Sequence, residues 1–348
     1  LAEIPDVCLP PTAAASFAVA ADGTLALTAL DPTLPAATAD CLRGLLDVYT
    51  ACGQLPAHRR ASPWFALAGE RALLDHLGAA RWGTAKVRDK TAQLDAGETE
   101  SLAVADFLGT RTFTRSQGPR AGRGVPVLMP VLDAFNHHPA AEGIGLVPGD
   151  GALFAGKAQP VEGSGECFVR YARMDALDAY LTYAFAATRT PWLVSVACEL
   201  TPKRGPKLVV RGEGGGHYTG ALPTELERWR PWVPRVHHAD RRRVVVSRLP
   251  LHVAEAPRLL PRVVAFLIQH AEPRLSDKRL LRRTRELVDR ALRVNDRFRE
   301  RLTALREDAA ARPRDAAPPG RDAALHTVCE LEAHMAALLE TAWTRDRL

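Results

Sequence analysis

Two apolar stripes at helical spacing dominate the C-terminal part of the chain, and they limit its fold more than any other feature. Leu281, Thr284, Val288, Ala291, Asn295, Phe298, Leu302 and Leu305 recur at three- and four-residue steps. That spacing places side chains on one face of an α-helix. A break, "ARPRDAAPPGRD", follows, and proline does not continue a helix interior. "AALHTVCELEAHMAALLETAW" then sets Leu325, Val328, Glu332, Met335 and Leu339 on a second stripe. Two long helices joined by a proline loop read as an antiparallel hairpin. From about Leu251 onward the chain reads as purely helical.

The pattern upstream is mixed. Residues 1–35 read as extended and turn-rich, with a candidate strand in "GTLALTAL". From Thr38, Leu42, Leu45, Leu46 and Tyr49 follow helical steps. "SPWFALAGERALLDHLG" begins with Ser62-Pro63, a suitable cap and first-turn pair for one helix. "ESLAVADFLGTRTF" repeats the helical spacing. After a Gly/Arg-rich loop, the apolar run "VPVLMPVLDAF" stops at Asn136-His137-His138-Pro139. "ALFAGKAQP" and "CFVRYA" read as strands across the turn "VEGSGE", which makes a hairpin. "MDALDAYLTYAFA" is a short helix. Residues 199–245 show no clear period. Their "RGEGGGHYTG" lacks the Gly-Lys-Ser/Thr ending of a phosphate-binding loop. No internal repeat is present.

Composition excludes several classes. No run of about 18 apolar residues exists, so no membrane span is expected. The six cysteines form no Cys-x-x-Cys pair and several lie in apolar context. That argues against a disulfide scaffold and a cysteine zinc site. It points to a reducing, intracellular setting, either cytoplasm or an organelle such as a mitochondrion or chloroplast. The chain starts at Leu1 rather than Met, which leaves room for an upstream targeting peptide. A length of 348 residues suits about two domains. The net charge of +6 and pI near 9.2 fit a solvated basic surface, or one that attracts nucleic acid, acidic protein or anionic lipid.

Three segments carry chemistry. They are "LGTRTF" at 108–113, "MPVLDAFNHHP" at 129–139, and "GECFVRYARMDALDAYLTYAFA" at 165–186. In that order and spacing they resemble the SET-domain methyltransferases. The group most similar has a split SET domain and a helical tail, typified by the Rubisco large-subunit methyltransferase. Arg111, Asp133, Asn136-His137, Gly165-Glu166, Tyr171 and Tyr183 match the residues of that group's pattern. "LAEIPDVCLPP" resembles the stretch that follows the group's opening Gly-x-Gly turn.

The resemblance implies an α+β fold. A SET-type domain would cover 1–198 with a helical insert at about 38–108. An irregular linker and strand region would cover 199–250, and an all-α substrate-binding domain 251–348. It implies S-adenosylmethionine as cofactor and a protein lysine as substrate. Asn136 and His137 would clasp the cofactor's adenine, alongside Asp133. Arg111 would face its carboxylate, for which a planar guanidinium suits. Tyr171 and Tyr183 would line the transfer channel as the catalytic pair. Neutralising a lysine at pH 7 costs roughly 4–5 kcal/mol from a reference pKa of about 10.4, and a desolvated aromatic channel reduces that cost.

Each residue also has a plainer reading. Asn136 and His137 can cap a strand-to-loop turn, Tyr183 can be a core aromatic, and Arg111 a surface ion-pair residue. A His137-His138 metal pair is disfavoured, since adjacent histidines point apart. Three positions depart from the group's pattern. Ala172 and Ala184 stand where glycine follows each tyrosine, and both turns are expected to be reshaped. Ala176 replaces an asparagine and removes polar contacts. These departures, with an Arg-rich helix at 278–306, support a second reading. In it the chain is a catalytically degenerate SET-like component of an RNA-containing assembly such as a ribosome, held through its basic surface.

Overall fold

The computed structural model describes residues 15–81, 85–115, 125–128, 136–141, 144–146, 153–155, 159–160, 167–171, 173–212, 217–313 and 317–345. The described chain opens with a hairpin of β1 (Ala15–Val19) and β2 (Leu25–Leu30). The helices α1 (Ala36–Ala51), α2 (Gln54–Ala61), α3 (Pro63–Ala66), α4 (Arg71–Ala79), α5 (Ala85–Asp95) and α6 (Thr99–Arg111) follow. Short strands come next: β3 (Thr112–Arg115), β4 (Val125–Leu128), β5 (Asn136–His137), β6 (Ile144–Leu146), β7 (Leu153–Ala155), β8 (Gln159–Pro160) and β9 (Cys167–Val169). After α7 (Ala176–Tyr183) the chain forms β10 (Trp192–Val194), β11 (Cys198–Leu200), β12 (Lys207–Val210), α8 (Thr224–Glu227), β13 (Val236–Ala239), β14 (Arg243–Val246) and β15 (Pro250–Val253). It ends in α9 (Leu259–Ala271), α10 (Asp277–Ala311) and α11 (Arg321–Arg345). The fold is thus mixed α+β, with small sheets and a helical C-terminal region.

The expected helical hairpin is α10 packed on α11. Its stripe is buried from Thr284 to Leu305, whereas Leu281 is 45% exposed. All five residues of the α11 stripe are buried. Two of the three polar members of these stripes have partners, while the buried Thr284 hydroxyl has none among the described residues. Asn295, 0% exposed, accepts from the Val196 backbone N–H at 2.8 Å and donates to Ser195 Oγ at 2.9 Å. Glu332 takes Arg306 Nε at 2.9 Å. A buried amide without partners would cost about 1–3 kcal/mol, so Asn295 instead ties α10 to the segment between β10 and β11.

Two local expectations need correction and one, the strand region at 199–250, is made more specific. The single helix read into 62–78 is two, because the chain turns between Ala66 and Arg71. Pro63 does occupy the first turn of α3. Ser62, however, donates its hydroxyl to Asp106 Oδ2 at 2.7 Å instead of capping. The break sets Glu70 at the start of α4, where Arg321 Nε donates to it at 2.8 Å. Residues 199–250 include a four-stranded sheet, ordered β11-β12-β14-β13, in which β12 and β14 run parallel. The tail from Leu251 is not purely helical, since β15 pairs antiparallel with β10. Strands of three or four residues are too short to leave a period-2 signal that stands out.

One core cluster joins α3, α4, α7 and the β10–β15 strands to α9, α10 and α11. A second, smaller cluster holds β1, β2, α1, α2 and α6. Gly320 enters α11 at φ 91°, and a Cβ there would lie 2.0 Å from the Arg60 carbonyl oxygen. Only glycine permits both that backbone angle and that approach to α2. Among the described residues no helix is long and apolar enough to cross a membrane.

Candidate functional site

The hairpin expected of "ALFAGKAQP" and "CFVRYA" is present only in part: β8, at the end of the first stretch, runs antiparallel to β9 with Gln159 opposite Phe168, whereas β7, earlier in that stretch, pairs with β6. β5 lies on the other side of β9 and runs parallel to it, with Asn136 opposite Phe168 and His137 opposite Val169. The end of the Asn-His-His stretch is held there too, as the His138 N–H donates to the Val169 carbonyl at 3.1 Å. This pairing lays the stretch against the strand that leads to Tyr171, across more than thirty intervening residues.

His137 is the chemical centre of the arrangement. Its Nδ1 accepts from the Tyr171 backbone N–H at 3.1 Å. Burial pushes its pKa down to about 4, and the positive charges of His138 and Arg170 add to the effect. The ring is therefore neutral at pH 7 and carries its one proton on Nε2. Nε2 is buried and has no hydrogen-bond partner among the described residues. A buried N–H left without an acceptor costs about 1–3 kcal/mol, so this donor calls for an acceptor beyond the described residues or from a ligand.

Aromatic rings enclose it. The His137 ring lies 5.3 Å from Tyr171 and 5.9 Å from Phe185. Tyr171 lies 5.0 Å from Tyr183, and Tyr183 is 6.2 Å from Phe185. All these pairs are tilted, which suits ring quadrupoles better than face-to-face stacking. Met174, Ala179 and Ala187 pack against the three benzenoid rings. Burial raises the Tyr183 pKa above its usual value, so its phenol keeps its proton.

α7 sets the position of Tyr183, and it is anchored firmly. Asp175 caps its N-terminus by accepting from the Asp178 N–H at 2.9 Å. Arg81, 3% exposed, donates from Nη2 to both Asp175 oxygens at 2.9 and 2.8 Å, and from Nε to Asp178 Oδ1 at 2.6 Å. Arg248 pairs with the other Asp178 oxygen at 2.8 Å. At the far end, Ala184 adopts φ 65° and ψ 24°, the left-handed cap conformation. The turn is kept in the shape glycine favours, contrary to expectation, and alanine bears the strain. It sends Phe185 back onto Tyr183.

The structure brings His137, Tyr171 and Tyr183 together, and places Asn136 next to them in the chain but exposed on β5. Arg111 is placed at the C-terminal end of α6. Its guanidinium lies 4.9 Å from the Tyr49 ring centroid and 4.7 Å from that of Phe107, and it donates to Gln54 Oε1 at 2.6 Å. Asp133, Gly165, Glu166 and Ala172 lie outside the described residues. Ala176 is the first residue of α7 and is buried in the apolar core. Sequence reasoning missed Phe185 and the Arg81 network. Phe185 had one signal, its place just past the end of a short helix that carries a candidate tyrosine. Asp175 and Asp178 fall within the stretch read as a short helix, but nothing local marks Arg81 as their partner.

The site therefore defines a class: an α+β protein with a neutral histidine donor and two phenols in an apolar aromatic enclosure. Compared with family models, curated proteins and solved structures, the chain matches none.

Proposed function

We propose that the chain is an S-adenosylmethionine-dependent protein-lysine N-methyltransferase of SET type. In this reading a SET-like β-fold is split by the helices α1 to α6, and α9 to α11 hold the substrate protein. The observation that carries it is the contact of His137 with Tyr171 and of Tyr171 with Tyr183, with Asn136 beside His137 on β5, residues matched on sequence grounds alone. The orphaned Nε2–H of His137 fits the cofactor, whose adenine offers ring-nitrogen acceptors. Arg111 is already engaged with Gln54 and two rings, so the proposal does not rest on it.

S-adenosylmethionine supplies, when bound, an electrophilic methyl on a sulfonium. Asn136 and His137 would hold it, and His137 stays neutral because burial, with the charges of His138 and Arg170, opposes its protonation. Tyr171 and Tyr183 present hydroxyls that accept from a lysine amine and fix its approach. Their apolar surroundings disfavour the ammonium form.

The test is transfer of labelled methyl from S-adenosylmethionine to protein, with methyl-lysine identified after hydrolysis. Labelled methyl-lysine should form with the native chain, and Tyr183→Phe should reduce the rate by about 10²-fold or more, the scale of a lost positioning contact. Label in other residues only, or equal rates for the two proteins, would overturn the proposal.

A further inference from the structure

On the side of α10 facing β11, a groove of about 920 Å³ runs along the helix. Seven of its thirteen lining residues are Lys or Arg, against three acids. Two of the acids are already committed. Glu199 pairs with Lys207 at 3.3 Å, while Glu286 takes Arg290 at 3.0 Å and the Lys203 backbone N–H at 2.8 Å. Arg283 is likewise spent on Glu272 at 2.8 Å. Lys203, Arg204, Arg282, Arg293 and Arg297 line the same groove, are exposed, and form no ion pair among the described residues.

From these observations we infer that the groove is a sequence-independent binding site for the phosphate backbone of single-stranded RNA. Arg282, Arg293 and Arg297 lie on one stripe of α10. At 1.5 Å per residue they span about 22 Å, the axial length of about six phosphates of one stacked strand. An uncommitted row of guanidinium forks matches a row of phosphates. Composition separates this occupant from a folded protein. Leu200 and Val294 are the only apolar residues among the thirteen, and none is aromatic. Protein interfaces are built around apolar and aromatic anchors, whereas nucleic-acid interfaces are more polar and strongly positive. The lack of aromatic rings also removes base stacking, so affinity depends on charge and not on base identity. The site is independent of the aromatic enclosure around His137, and its occupancy requires no methyl transfer.

The experiment is fluorescence anisotropy of the full chain with a labelled twelve-nucleotide oligouridylate, titrated at several salt concentrations. Five phosphate contacts give a slope of log K against log salt of about −3.5, at about −0.7 per single-strand phosphate. Affinity then falls roughly 100-fold between 50 and 200 mM salt. The variant Arg282→Gln/Arg293→Gln/Arg297→Gln changes only exposed, unpaired positions. It should retain two contacts, a slope of about −1.4, and a roughly 7-fold fall. Lys203→Gln/Arg204→Gln, on the opposite wall, should flatten the slope to about −2. Oligoglutamate of equal charge should compete at least 10-fold more weakly than unlabelled oligouridylate. No binding at 50 mM salt overturns the inference, as do unchanged slopes in both variants. Equal competition by oligoglutamate would assign the groove to an acidic protein segment instead.

Discussion

Replacing Arg81 with methionine isolates the charge that anchors α7. Methionine keeps most of the aliphatic volume and removes the guanidinium. Asp175 and Asp178 are both buried, and Arg81 makes three of the short bonds that compensate them, at 2.6, 2.8 and 2.9 Å. After the change, Arg248 still holds Asp178 at 2.8 Å. Asp175 keeps only neutral donors, the Asp178 N–H at 2.9 Å and the Val194 N–H at 3.1 Å. An ion left buried without its partner costs about 3–5 kcal/mol, a large share of a typical stability of about 5–15 kcal/mol. Urea unfolding followed by circular dichroism should show the unfolding free energy falling by that amount, through a lower midpoint at an unchanged slope. The double variant Arg81→Met/Asp175→Asn should lose less than the single one, because the stranded charge is gone. A single-variant loss below about 1 kcal/mol, or a double variant as unstable as the sum of its parts, would refute the reasoning.

Other outcomes follow from particular residues. Ala184→Gly should stabilise the protein by about 0.5–1 kcal/mol. The left-handed conformation costs a Cβ-bearing residue about 1–2 kcal/mol, and the extra chain entropy of glycine offsets about half of that. Ala184→Val should destabilise it, and the pair of unfolding midpoints checks both signs. Burial opposes ionisation of Asp106, but His58 at 2.8 Å and Lys90 outweigh it and hold the carboxyl at about 2. The folded value lies below the unfolded one of about 3.9, so this contribution is complete above about pH 4. It is lost as pH falls through about 2, and amounts to about 2–3 kcal/mol. Acid titration of stability should therefore show a steeper fall below pH 4 in the native chain than in Asp106→Asn.

The helical hairpin was legible because α10 and α11 run for 35 and 25 residues, long enough for a 3.6-residue period to repeat many times. The sheet of β11 to β14 was not, because its strands are only three or four residues long, with few buried positions each, such as Leu208 and Val210 in β12. The break between α3 and α4 was hidden for another reason. Ser62 and Glu70 take their partners, Asp106 and Arg321, from far along the chain. The site divides the same way. Asn136, His137, Tyr171 and Tyr183 were readable as spaced residue types. The neutrality of His137 was not, since it depends on burial and on the neighbouring positive charges. Arg81 and Phe185 enter only through tertiary packing. Ala184 shows that local preference was read correctly, since the position does favour glycine, yet the surrounding packing holds alanine in the same shape.

The central claim is that the Asn136–His137 stretch and its aromatic surround bind S-adenosylmethionine. Calorimetric titration of the chain with that cofactor tests it most directly. Binding near micromolar, about −8 kcal/mol, is expected. Asn136→Ala should abolish it, and His137→Ala should weaken it by about 10-fold or more, the value of one hydrogen bond to an otherwise orphaned donor. Absence of binding to the native chain, or binding that both variants retain undiminished, would contradict the claim.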